Sequence, residues 1–268
     1  MDGLLAAAKA SNISVRIPEQ PIWSWEFVES FETFGPSDAH GAAMAWLAHL
    51  DVLKFIIQNR WSSALVLEDD VDWSIEIREQ TRKAAEAVVE LTQQKSSTDA
   101  PYGLDWDVIW MGHCGDPTDL DSKLHVTYQD STVIPFEKYR SIDNQVTTQL
   151  REGYRAVHFS TGPICTWAYG VSAEGARKLL AEASKGQGGA YDLMLMSKCK
   201  EEKLRCITVN IQLFDAYQGG QSEVRAGDSG SDLQSDSSAS PAMGHTDNVL
   251  ESARCAGLYN STCLSAVE

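Results

Sequence analysis

Three carboxylates, Glu68, Asp69 and Asp70, follow directly on the apolar run Ala64-Leu65-Val66-Leu67. A short continuous apolar run flanked by polar residues is the pattern of a strand buried on both faces. In open α/β sheets, ligands bind at the carboxyl ends of strands, which is where these acids fall. Like charges placed side by side repel, and a divalent cation relieves the repulsion. Mg²⁺ or Mn²⁺ held by one or two carboxylates keeps positions open for phosphate oxygens. The plain alternative is a solvated acidic turn, a common use of Asp in loops.

A fourth acid, Asp192, stands in Gly189-Ala190-Tyr191-Asp192-Leu193-Met194 at the start of a predicted helix. There it either accepts a proton from an incoming hydroxyl or interacts with the helix dipole. His113 follows the apolar run ending in Trp110-Met111-Gly112, with Cys114 and Asp116 close by, and is placed for a pocket. His49 lies within a helical stretch, where a lone histidine is ordinarily a packed or surface residue. His/Cys spacing of a zinc site is absent, as are P-loop, GxGxxG and GxSxG elements.

The elements that must position these residues alternate. Leu4 to Ala10 reads as a short helix, and Ile13 to Ile17 as a half-buried strand. Gln20 to Pro36 reads as irregular. Asp38 to Arg60 is a helix with Trp46, Leu50, Leu53 and Ile57 on one stripe, capped by Ser37 or Asp38. Glu76 to Gln94 is a second helix. Trp106 to Met111 is a buried strand, and His125 to Phe136 and Ala156 to Ser160 are further strands. Thr166 to Val171 leads into a helix from Ala173 to Ala183 with Ser172 as its cap. Tyr191 to Lys203 is helical and Leu204 to Gln212 is a last strand. This alternation predicts an α/β fold with a mainly parallel sheet flanked by helices. The organisation expected is one domain over residues 1–218, a flexible Gly/Ser/Asp-rich loop over 219–244, and a C-terminal segment over 245–268.

The chain has 268 residues and a net charge of −16, from 38 acids against 22 bases. That balance argues against nucleic acid and anionic lipid as partners. A nucleotide remains compatible, because a metal neutralises its diphosphate locally. No apolar stretch is long enough to span a membrane: Gly41 to Ile57 is broken by His49, Asp51 and Lys54. No signal peptide is evident at MDGLLAAAKA. Two N-glycosylation sequons, at Asn12 and Asn260, and six cysteines, with Cys199/Cys206 and Cys255/Cys263 as local pairs, nevertheless lean toward the secretory pathway, in the ER or Golgi lumen.

Taken in order, several segments resemble glycosyltransferase family 25, its fungal members most closely. They are Trp46-Leu47-Ala48-His49, Ala64 to Val71 (ALVLEDDV), Trp106 to Gly112 (WDVIWMG), Gly162 to Thr166 with Gly175 to Leu180, Tyr191-Asp192, and Val209 to Asp215. The resemblance covers Ala39 to about Asp215. It implies a GT-A-like (Rossmann-like) fold, a UDP-sugar donor (often UDP-galactose), Mn²⁺ or Mg²⁺, and inversion at the anomeric carbon. Carried over, Glu68 and Asp69 serve the donor, Asp70 with Glu68 the metal, and Asp192 acts as base toward an acceptor hydroxyl of a glycan or protein. His113 and Asp215 are candidate pocket residues.

The sequence departs from the family in three places. The first βα unit, with its basic residues, is not found. Met44-Ala45 replaces a Gly-Cys pair. Asp215-Ala216-Tyr217 offers no late histidine. These departures keep open a non-catalytic glycosyltransferase-like binding protein. A Mg²⁺-dependent phosphotransfer or receiver-like domain is a further alternative, lacking evident Ser/Thr and Lys partners at later strand ends.

Overall fold

A computed structural model describes residues 1–31, 39–186, 189–218 and 244–263. In chain order the elements are α1 (Asp2–Ala10), α2 (Trp25–Phe31), α3 (Ala39–Gln58), β1 (Ser63–Leu67), β2 (Val71–Trp73), α4 (Ile77–Thr92), β3 (Val108–Gly112), β4 (His125–Gln129), α5 (Gln145–Gln149), β5 (Tyr154–Phe159), β6 (Ala168–Ser172), α6 (Ala173–Ala183), α7 (Tyr191–Lys200), β7 (Cys206–Asn210), β8 (Phe214–Gln218), β9 (His245–Thr246) and α8 (Ala253–Tyr259).

The strands form an open sheet in the order β1-β6-β3-β7-β5-β4, with β8 joining at the end of β3 and carrying β2 and β9. Helices cover both faces, so the α/β class holds. The mainly parallel sheet expected from the sequence is corrected. Along that path only β3–β7 is parallel, and β1–β6, β6–β3, β7–β5 and β5–β4 are antiparallel. The physical reason is that a continuous apolar run says nothing of strand direction; in β1 it also overstates burial, since only Val66 is buried and Leu65 is 41% exposed. In β3, Val108 and Trp110 enter one core while Ile109 and Met111 enter the other. By the pairings given, β1, β3 and β7 do run in one direction, but β6 is inserted in reverse between the first two.

Both cores follow from helix periodicity. Trp46, Leu50 and Leu53 of α3 are buried as the stripe requires, with Ile56 rather than Ile57 completing it. They meet α6 and α7 on one face of the sheet. Ile77, Ala84, Val88 and Leu91 of α4 repeat at helical spacing and join α1 on the other face. Burying a Leu-sized side chain contributes about 1.5–3 kcal/mol, so each stripe holds its helix without help from propensity. Ser172 caps α6 as expected, accepting from the Gly175 amide at 2.9 Å. Gly175 itself must be glycine: a Cβ there would lie 2.1 Å from the Asp107 carbonyl oxygen, because the first turn of α6 rests on the entry to β3.

Several boundaries differ from expectation. Ile13 to Ile17 is extended but joins no ladder, although Ile13 and Val15 pack on the core. The strand predicted from His125 to Phe136 stops at Gln129. There the Asp130 carboxylate accepts from the Thr132 amide and hydroxyl and from Arg155, turning the chain. The irregular segment Gln20 to Pro36 contains α2, while its end and the caps Ser37 and Asp38 lie outside the described residues. Residues 219–243 of the expected flexible loop also lie outside them. The C-terminal segment packs on the body, α8 against α1. No helix among the described residues is long and apolar enough to cross a membrane.

Both expected local disulfides form, Cys199–Cys206 and Cys255–Cys263, and a third joins Cys114 to Cys165.

Candidate active site

Glu68 continues the ladder one residue past β1, its amide donating to the Trp167 carbonyl at 3.0 Å. This sets its side chain against Thr166, whose hydroxyl donates to Oε1 at 2.8 Å. Burial pushes the Glu68 carboxyl up to about 7; the Thr166 bond opposes this, and the charges of Asp70, Asp192 and Asp69 add to it. The side chain still keeps 34% of its surface open, so it is sunk below the rim but reachable. Asp69 and Asp70 occupy the following turn and are exposed. The Asp70 carbonyl accepts from the Tyr217 amide at 2.8 Å, which ties the turn to β8.

Asp192 comes to this edge from the start of α7. Its Oδ2 accepts from the Cys165 amide at 2.8 Å and its Oδ1 from the Leu193 amide at 2.8 Å. The two loops that meet here are joined by the Cys114–Cys165 disulfide. The structure thus brings Glu68, Asp69, Asp70 and Asp192 into one electrostatic cluster, across a span of the chain that no local spacing reveals.

His49 is the unforeseen centre of the supporting layer. Its ring stacks on Tyr191 at 4.0 Å between centroids and 4° between planes, and its Nδ1 lies 3.1 Å from the Tyr169 hydroxyl. Its Nε2 approaches Glu68 Oε1 at 4.0 Å. Burial lowers its pKa to about 4, so the ring is neutral at neutral pH. The helical position alone reads as packing, and packing is what His49 does; the resemblance to a family His motif was the only signal of its place beside the acids.

His113 and Asp215, the other pocket candidates, are both deeply buried. His113 is fully inaccessible: Nε2 donates to the Val209 carbonyl at 3.1 Å and Nδ1 accepts from the Gly115 amide at 3.1 Å. Burial lowers its pKa to about 4. Asp215 is 4% exposed and accepts from Gln212, Asn248 and the Ala216 amide. Burial pushes it up to about 7 against those donors. Neither presents a side chain to the Glu68–Asp70 turn.

Arg254, from the distant α8, lies beneath that turn and donates to the carbonyls of Asp69 at 2.6 Å and Val71 at 2.9 Å. Nothing in the sequence signals this contact. Among the described residues no group of three or more His, Cys, Asp or Glu side chains is gathered to hold a metal ion unaided. Two exposed carboxylates in one turn suit a cation that takes its remaining ligands from diphosphate and water, so the donor set fits Mg²⁺ or Mn²⁺ in that mode only. A shallow cleft of about 160 Å³, lined by Arg60, Trp61 and Arg177 among others, opens at the amino end of β1, opposite the acids. The chemistry and the cleft do not coincide, and the acids are the better guide because the raised carboxyl of Glu68 lies among them.

A scan against models of known protein families and a search of curated proteins both return no match.

Proposed function

We propose that this chain is a metal-assisted glycosyltransferase domain of the family 25 kind, GT-A-like in fold. It would transfer a hexose, galactose in the first instance, from a UDP-sugar to an acceptor hydroxyl with inversion. The observation that carries the reading is the convergence of Asp192 on the Glu68-Asp69-Asp70 turn at the carboxyl end of β1. The common direction of β1, β3 and β7 supports the fold reading, since it sets their carboxyl ends along one edge.

In this reading Asp70 with Glu68 would hold the cation, whose chemistry when bound is to offset charge developing on the departing diphosphate. Glu68, held in place by the Thr166 hydroxyl, would serve the donor together with Asp69. Asp192 takes the acceptor proton as the new bond forms at the anomeric carbon and the bond to the diphosphate breaks. Its orientation is fixed beforehand by the Cys165 and Leu193 amides. The three disulfides support a lumenal or secreted setting, where such bonds persist.

A second reading, a non-catalytic glycosyltransferase-like binder, draws on the absence of a pre-gathered metal cluster among the described residues. Titrating the protein with UDP, with and without Mn²⁺, beside Asp70→Asn separates the two. Binding that requires both Mn²⁺ and Asp70 supports the enzyme. A folded protein indifferent to Mn²⁺ and UDP supports the binder.

A further inference from the structure

We infer that Arg254 is a positioning residue of the acidic turn: from α8 it fixes the backbone on either side of Asp70, so that the turn is ordered before a cation arrives. The inference rests on the metal-assisted reading above. The Arg254 Nη2 donates to the Asp69 carbonyl at 2.6 Å and to the Val71 carbonyl at 2.9 Å. Between them the Asp70 carbonyl accepts from the Tyr217 amide at 2.8 Å. The Arg254 guanidinium also lies 5.0 Å over the Tyr217 ring. Three successive carbonyls are thus held from outside the turn, two of them by one side chain.

Arg254 is itself held on two sides. It is 7% exposed, and its amide donates to the buried Asp72 at 3.0 Å. Ser252 caps α8, accepting from the Cys255 amide at 2.9 Å, and its hydroxyl donates to the same Asp72. On the other side Gly3 of α1 makes room: a Cβ there would lie 2.9 Å from the Arg254 Nη1. Among the described residues the buried Nε of Arg254 has no hydrogen-bond partner. A buried guanidinium is a costly way to fill space, and one with a donor left unmatched is costlier still. What its charge meets is acid: burial opposes the charged form, and Asp72, Asp70 and Asp69 favour it.

Two effects of Arg254 on a cation oppose each other. Its fixed positive charge repels the cation, while the order it imposes lets the turn receive one without rearranging. The second prevails. The Nη2 hydrogens are directed at backbone carbonyls, and the nearby Asp72 offsets the charge. Hydrogen bonds from a charged donor are about twice as strong as neutral ones, so the hold on the turn is firm. With Arg254 in place, repulsion among Glu68, Asp69 and Asp70 is resisted while no cation is bound. Binding then carries less ordering cost.

Amide hydrogen exchange and calorimetry on the whole chain test this together. Arg254→Met keeps the apolar stem and loses the donors. In it the Val71 and Tyr217 amides should exchange about tenfold faster or more, with Ile207 and Val209 of β7 unchanged. UDP binding in the presence of Mn²⁺ should weaken about tenfold or more. Arg254→Lys, which keeps the charge on a shorter reach, should recover part of both losses. Gly3→Ala, which touches the turn only through Nη1, should reproduce them in weaker form. Should Arg254→Met fail to fold, Arg254→Lys and Gly3→Ala carry the same comparison with the wild type. Unchanged exchange at Val71 and Tyr217, or Mn²⁺-dependent UDP binding equal to or tighter than wild type, overturns the inference alone. A folded wild type indifferent to Mn²⁺ and UDP overturns the metal-assisted reading, and the inference with it.

Discussion

Asp70 and Asp72 stand two residues apart and live in different worlds. Asp70 is exposed in a turn. Asp72 is fully buried and accepts from the Trp73 and Arg254 amides and the Thr246 and Ser252 hydroxyls. It faces Asp215 across the β2–β8 pair, and Asp215 in turn is held by Asn248. The buried acids are the anchor of the C-terminal segment, while the acids of the neighbouring turn stand open to solvent. Acidity alone therefore does not mark a site in this molecule; what separates these two acids is access to solvent.

The contrast has measurable consequences. Asp72→Ala would leave its donors buried and unmatched, and should lower stability by about 3–5 kcal/mol in thermal or guanidinium unfolding. Asp70→Asn should cost less than about 1 kcal/mol. Equal losses would erase the distinction between the two acids.

Replacing both Cys114 and Cys165 by Ser opens a loop of sequence separation 51 and should cost about 4 kcal/mol on the chain-entropy model. The same change at Cys199 and Cys206, separation 7, should cost nearer about 2 kcal/mol. A reversed order would show that the site-side bridge is not a structural clamp.

A smaller effect is expected from pH. Burial lowers the pKa of His49 and His113 to about 4 and that of His158 in the same direction. Their unfolded forms therefore bind protons first, and stability should fall as pH drops from about 6.5 toward 4. Asp215 acts oppositely: its carboxyl is raised to about 7, so the folded state binds its proton first and gains stability over the same descent. Asp215→Asn should remove that opposing contribution and steepen the acid dependence of the unfolding midpoint. An unchanged slope would mean Asp215 is ionised throughout.

The sequence made α1, α3, α4, α6 and α7 readable but not the short α2, α5 and α8. The stripe in α3, the Ser172 cap and the extent of α6 all follow from side-chain spacing and local hydrogen bonding. Strand identity was readable too, at β1, β3, β5, β6 and β7. Strand order was not, because the reversal of β6 between β1 and β3 depends on pairings between residues far apart in the chain. The acidic turn was visible as a motif. His49 packing on Tyr191, and Arg254 under the turn, were not, since each joins segments with no common period. The third disulfide was one step away: with two local pairs assigned among six cysteines, Cys114 and Cys165 were the pair remaining.

That bridge also changes what a protease would reveal. Residues between Cys114 and Cys165 include β4, α5 and β5, and supply most of a small core around Tyr139, Val146 and Leu150 that Ile211 completes. A single cut inside this stretch would yield two fragments that migrate as one until a thiol is added. The two halves of the acidic edge would stay tethered after nicking, and ligand binding there could outlast an intact backbone.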